Sequence, residues 1–444
     1  MRRWRRGYGR PAADASPREH TIHHMKLGIS KEKSAIRERG ARTQLGCVAL
    51  VAALLLLLAP SWGAPQAAPN AGFRADGKIR IDEASGLREA YLPMLFPSSH
   101  AANLLALRNG DLLCAWFSGT REGASDVAIV VARLKRGSDQ WSAPEVVDQQ
   151  EGRSYQNPVL FEVPDGKIWL FHSSQEADKG ESHANILVLT SDDGGETWSS
   201  AKPAFTKPGA FTRQPMVVLP NGDWMLPMYF AGGGPKAANS SSTAYPAMQV
   251  SSDHGVSWKE YDVPDAAGLV QPVVLQLAAH RFVAFFRSRA ADWIYRSTSA
   301  DGVMWSAPVR TALPNNNASI GAARLKDGRI AMAFNNCSAL DAPAGTQKAP
   351  RKPLSIALSA DGGVTWPWVR DVQTGDEPGA AQAGGSDEYS YPAIVQSADG
   401  SILLAYTFRR LTIKYVVMDE GWIESGGTAG RYQGNARRGA PGKP

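Results

Sequence analysis

Past a basic, apolar leader, the chain alternates short apolar runs with polar turns, and helical periodicity is nearly absent. Five Asn-Gly or Asp-Gly pairs each open such a run: Asn109-Gly110 before LLCAWF, Asp165-Gly166 before KIWLFH, Asn221-Gly222 before DWMLPMYF, Asp327-Gly328 before RIAMAF and Asp399-Gly400 before SILLAY. Most follow another apolar run, such as NPVLFEV, QPMVVL or YPAIVQS, so each pair reads as the turn of a hairpin. The first three turns are 56 residues apart, and the gap of 106 after Asn221 hides a sixth copy, Ala279-His280 before RFVAFFR, which lacks the glycine.

A second motif runs in phase with the first. Ser191 to Trp198, Ser251 to Trp258 and Ser359 to Trp366 fit S-x-D-x-G-x-[ST]-W, and Ser299 to Trp305 is the same motif one residue short. Arg133 to Trp141 reads as a decayed copy, and Trp422 as the end of another. In such a turn the Asp carboxylate bonds backbone amides, Gly takes a left-handed conformation and Trp packs between sheets, so these aspartates are structural. Six units of about four short strands each predict an all-β fold, a six-bladed β-propeller with Asp-box repeats, over residues 81–424.

The flanks differ in composition. Residues 1–63 carry 12 of the 48 Lys and Arg but only 4 of the 42 Asp and Glu, so the formal net charge of +6 belongs to the leader and the remainder is slightly acidic. No basic face for nucleic acid is implied. The leader's basic stretch, its apolar run from Leu45 to Ala59 and its small residues before Ala64 follow the order of a secretory signal, with Met25 an alternative start and an uncleaved N-terminal anchor the rival reading. A secreted or periplasmic location is therefore expected. Residues 64–80 read as a linker and 425–444, rich in Gly and Arg, as a disordered tail. Cys47 lies in the leader. Cys114 and Cys337 fall in strand-like runs and are expected to be buried thiols, although a bridge between them stays open. No Cys/His cluster has zinc spacing, so no metal or cofactor is expected.

Chemistry in a propeller gathers where inner strands begin. There the sequence places His100 in Ser99-His-Ala-Ala-Asn103, Asp126 in GTREGASD, Arg213-Gln214, Gln271, Arg287, Asn315 to Asn317, Arg351, and Asp387 to Tyr391. Arg121, Arg213, Arg287, Arg351 and Arg409 come from different repeats at similar phases, and clustered guanidinium groups suit a carboxylate, sulfate or phosphate. Glu122 is either a second carboxylate beside Asp126 or the partner of Arg121.

The Asp-box turns and phased arginines together resemble the sialidase (neuraminidase) superfamily, in its divergent BNR/Asp-box repeat branch, over about residues 90–418. The resemblance implies a secreted retaining glycosidase for an acidic sugar. Asp126 would be the acid/base and Tyr391, or Tyr389 two residues earlier, the nucleophile. Arg287 and Arg351 would hold the substrate carboxylate, helped by Arg121 or Arg213. The chain departs from that pattern twice. His100 stands where the family has its first clamping arginine, and Gln271 where it has the glutamate that polarises the tyrosine; a Gln side chain cannot take the phenolic proton. Two other readings follow: a uronic-acid polysaccharide lyase with His100 as base or acid and a tyrosine as its partner, and a non-catalytic glycan- or protein-binding propeller. The implied partner is an acidic glycan.

Overall fold

The computed structural model describes residues 74–426 apart from 239, 343–348 and 376–384. The leader, and the tail beyond 426, lie outside the described residues.

Six antiparallel sheets follow one another along the chain. The first blade is Ser98–Ala106, Leu112–Gly119, Ala128–Leu134 and Glu145–Asp148. The second runs from Arg153–Glu162 to Lys202–Phe205, and the fourth from Leu269–Ala278 to Val309–Pro314. In the third, the innermost strand is split into Ala210–Thr212 and Val217–Val218. The fifth spans Gly321–Arg324 to Trp368–Gln373. The sixth is closed from both ends of the chain: Tyr389–Gln396, Ile402–Phe408 and Thr412–Met418 are joined by the N-terminal strands Arg88–Tyr91 and Arg80–Ile81. Pairing Arg88 with Val417 and Tyr91 with Lys414 ties the ring shut. This is the expected six-bladed propeller.

Each hairpin turn falls where its Asn-Gly or Asp-Gly pair predicts. In the first, the Gly110 amide donates to the Leu107 carbonyl and the Leu107 amide to the Asp111 carbonyl, both at 2.9 Å. The same two bonds recur around Gly166, Gly222, Gly328 and Gly400. The Asp-box turns lie between third and fourth strands, away from the axis. In the second blade Asp193 accepts the Thr197 amide at 2.9 Å and its hydroxyl at 2.5 Å, while Ser191 Oγ accepts the Gly195 amide at 2.8 Å. Trp422 is a correction: it closes no Asp-box but sits in the short helix Glu420–Ser425, whose first turn is capped by Asp419.

The core is divided between blades. One apolar layer joins Leu113 and Phe117 of the first blade to Tyr155 and Leu170 of the second, and five equivalent layers complete the circle. Cys114 and Cys337 are buried free thiols. The linker expected over 64–80 ends sooner. The Gly77 amide bonds the Tyr91 carbonyl at 2.9 Å, the Ile79 amide bonds the Asp139 carbonyl at 2.7 Å, and Ile79 is buried.

Candidate active site

The inner strands share a local distortion. Ala101, Asn157, Gln271 and Tyr391 have φ of 61, 49, 53 and 55°, and the register slips beside each of them. Asn317, just before the fifth blade's inner strand, has φ 59°. Left-handed backbone at a non-glycine residue costs on the order of 1–3 kcal/mol and collects at functional sites. A bulge also re-aims the side chain. The Gln271 and Tyr391 side chains here are both turned onto Arg287 of the fourth blade.

Tyr391 is the centre of the cluster and is only 7% exposed. Its hydroxyl accepts a 2.7 Å bond from Arg287 Nη1. The same Nη1 donates to Gln271 Oε1 at 3.1 Å, and Arg287 Nε donates to Asn317 Oδ1 at 2.9 Å. The Arg351 guanidinium lies 5.4 Å from the ring centroid, and the His100 ring is 4.1 Å away, centroid to centroid. Burial pushes the phenol up, but the Arg287 and Arg351 cations outweigh it and bring it below its ordinary value of 10.0.

His100 Nδ1 bonds Thr407 Oγ1 at 2.8 Å, while its Nε2 is buried with no partner among the described residues. Burial, then the nearby Arg410, Arg351, Arg213 and Arg287 charges, hold the imidazole well below 6.5, so it is neutral at neutral pH. It therefore supplies no positive clamp where an arginine would.

A buried carboxylate, Glu388, stands on the other side of Arg351. It accepts from Arg351 Nη1 at 2.6 Å, Arg410 Nε at 3.0 Å and Ser390 Oγ at 2.6 Å. Burial raises its carboxyl, but Arg351 and Arg410 prevail and hold it at about 2. Arg410 Nη1 continues to Glu122 at 2.6 Å, so the loop carrying Asp126 is fastened to the site. Across the mouth, Arg289 pairs with Glu181 and its guanidinium lies 5.8 Å from the Tyr229 ring centroid.

Of the sequence candidates, His100, Gln271, Arg287, Arg351 and Tyr391 are brought together. The others are not. Arg121 lies on the surface in a pair with Asp178 at 3.0 Å and reaches only the backbone carbonyl of Glu122, whose carboxylate pairs with Arg410 instead, so it is neither a clamp nor the ion-pair partner of Glu122. Arg213 is buried on the axis with its donors taken by Ser319 Oγ at 3.0 Å and the Ala102, Tyr391 and Pro392 carbonyls at 2.9, 2.9 and 3.2 Å; it holds protein, not substrate. Arg409 Nη1 reaches the Tyr389 hydroxyl at 3.1 Å, and Tyr389 packs in the layer between the fifth and sixth blades. That leaves Tyr391 as the tyrosine at the axis. Asp126 is turned onto its own loop, accepting the Thr120 amide at 3.1 Å and the Thr120 hydroxyl.

Glu388 falls within the Asp387 to Tyr391 stretch and Arg410 follows Arg409, but the sequence assigns neither a role. Phe408 to Leu411 make a tight turn in which Arg409 and Arg410 have φ of 53 and 62°, and this decides which arginine faces the site. Strand alternation alone does not reveal it. The alternation of Glu388 and Ser390 on one face was the available signal for the carboxylate.

A six-bladed propeller with Asp-box turns and a tyrosine–arginine cluster on its axis defines a sialidase-like propeller. The chain belongs to the BNR repeat-like domain family, whose model matches residues 110–404. No curated protein matches its sequence. Among solved structures it is similar to the intramolecular trans-sialidase from Ruminococcus gnavus, solved in complex with oseltamivir carboxylate, at TM-score 0.62 and 15% identity over 79% of this chain and 99% of that one. It is also similar to a protein of unknown function from Dyadobacter fermentans, at TM-score 0.59 and 18% identity over 76% and 98%. A third similar structure is the Hadza microbial sialidase Hz136, at TM-score 0.58 and 16% identity over 73% of this chain and 66% of that one. At these identities the likeness speaks for the fold.

Proposed function

We propose that this propeller is a secreted glycoside hydrolase of the sialidase type, acting on an acidic sugar with retention of configuration and Tyr391 as nucleophile. One observation carries the reading: the Tyr391 hydroxyl accepts a bond from Arg287, has no acceptor for a proton of its own among the described residues, and lies beside the Arg351 cation. A phenol in that field is a better nucleophile than one in water.

The same arginines have donors to spare. Arg287 Nη2, and Arg351 Nε and Nη2, make no hydrogen bond among the described residues, and both residues border Tyr391. A sugar carboxylate held there would present its anomeric carbon to the phenol oxygen. Tyr391, its phenolic proton lost to solvent, attacks that carbon, the C–O bond to the leaving group breaks, and Asp126, once its loop turns it from Thr120 toward the site, gives its proton to the departing oxygen. Water then attacks the glycosyl–tyrosine bond, Asp126 takes the water's proton, and the phenolate is restored. Gln271 takes no proton in this scheme; it fixes Arg287. The oseltamivir carboxylate bound by the similar trans-sialidase supports an acidic ligand.

A second reading has its own observation. The neutral His100 ring packed at a 49° tilt against Tyr391, with Nε2 unpartnered among the described residues, is also a base and acid pair suited to opening a uronate by elimination.

A turnover screen separates the two. An aryl sialoside and a panel of acidic polysaccharides would be offered to the chain from residue 64 onward and to its Tyr391→Phe variant. The proposal expects released sugar, reduced at least about a thousandfold in the variant. An unsaturated, ultraviolet-absorbing product from a uronate polymer, lost in His100→Gln, would replace it with the second reading. Tight binding without turnover of any glycan would reject both.

A further inference from the structure

The site contains more buried positive charge than carboxylate to balance it. Arg213 is 1% exposed and meets no acidic group among the described residues: its partners are one serine hydroxyl and three backbone carbonyls. Arg287 is 4% exposed and, among the described residues, bonds only two side-chain amide oxygens and the Tyr391 hydroxyl. Burying a cation without a counter-charge is among the most expensive arrangements in a protein interior. Glu388 does not supply the charge, since Arg351 and Arg410 already flank it. Glu181 is likewise engaged by Arg289, and Glu122 by Arg410. Cys114 and Tyr229 also lie near Arg213, but burial raises both groups, which leaves Tyr391 as the group that can become negative. Its ring has the Arg213, Arg287 and Arg351 guanidinium carbons 5.4, 5.8 and 5.4 Å from its centroid.

We infer that Tyr391 is a phenolate in the resting protein at neutral pH, serving as the counter-ion of Arg213 and Arg287. Its proton is released to solvent on folding. The hydroxyl geometry fits, because the oxygen accepts from Arg287 and donates to nothing among the described residues. The other groups facing the ring divide by sign: neutral His100 adds no charge, while Glu122 and Glu181 oppose ionisation from the rim, each already paired with an arginine. This assigns Arg213 as a positioning residue. It acts through Tyr391, and its charge takes the place of the base that Gln271 cannot be. The charge state stands apart from the chemistry; its use in catalysis rests on the proposed nucleophilic role.

The chain has 12 tyrosines, so the phenolate is read as a difference. Near-ultraviolet spectra of the wild type and Tyr391→Phe would be compared from neutral pH to pH 11. The expected difference at neutral pH is one phenolate band, lost on acidification. A difference that shows neutral phenol until the ordinary tyrosine range near 10 overturns the inference. Arg287→Gln and Arg213→Met should each move the titration upward. If Arg213→Met does not fold, the wild-type difference and Arg287→Gln still decide. A phenolate that persists unchanged in both folded variants removes the counter-ion role. A neutral phenol with turnover lost in Tyr391→Phe refutes this inference and leaves the hydrolase reading standing. A phenolate with no turnover of any glycan does the reverse.

Discussion

Glu388 shows how the site's charges also serve the fold. Its carboxyl would stand at 4.5 in the open chain and is held at about 2 by Arg351, Arg410 and Ser390, which overcome its burial. Its folded value is depressed, so its contribution is fully present above about 4.5 and is lost as the pH falls through about 2. By linkage that contribution is on the order of 3 kcal/mol. Glu388→Gln should destabilise the protein by about 3–5 kcal/mol at neutral pH, because two buried arginines lose their anion. It should also flatten the fall in stability between pH 4.5 and 2, as followed by thermal unfolding. An unchanged acid profile would mean that another carboxylate dominates there. Glu388 also marks where sequence reading stops. Position along the repeats, with the resemblance, found Gln271, His100 and Tyr391, which lie at or beside a bulge of an inner strand, and Arg287 and Arg351, which lie on or just before a later strand of their blades. It failed for Arg121 and Arg409, whose side chains are directed by a loop and a tight turn, and for Arg213, whose donors all meet partners more than 100 residues away along the chain.

At the level of the element, the Asp-box turn is a fastening between blades. The glycine that its sequence demands packs on the preceding blade. A Cβ on Gly255 would lie 2.6 Å from the Trp169 ring, and one on Gly363 would collide with Phe285. Both glycines are also left-handed, with φ of 91 and 84°. Gly255→Ala should therefore cost roughly 2–4 kcal/mol from strain and overpacking together. Turnover at temperatures below melting should be unaffected, as measured by calorimetry beside a rate assay. A loss of activity without a loss of stability would contradict the structural role assigned to these turns. Hairpin turns and Asp-boxes were legible in the sequence because their chemistry is local. The left-handed residues of the inner strands were not: Gln271 and Tyr391 each precede a proline and read as ordinary strand starts.

At the largest scale, the blades form a ring whose last joint is non-covalent. The strand Arg88–Tyr91 completes the sixth blade, and Lys414 is buried there between Glu89 at 2.7 Å and Gln373 at 3.0 Å. Deleting residues 74–92 should open this blade and abolish cooperative unfolding, seen as loss of a single calorimetric transition. A sharp transition in the deletion would show that the other five blades suffice. An intact ring is what brings Arg213, Arg287, Arg351, His100 and Tyr391 to one point from five different blades, so closure and chemistry are one problem. The measurement that bears most directly on the account is the mass of the Tyr391 peptide after the protein is quenched during incubation with an acidic aryl glycoside. The account predicts a glycosyl adduct on Tyr391 that decays with the substrate and is missing in Tyr391→Phe. Sustained hydrolysis with no adduct, undiminished in Tyr391→Phe, would contradict it.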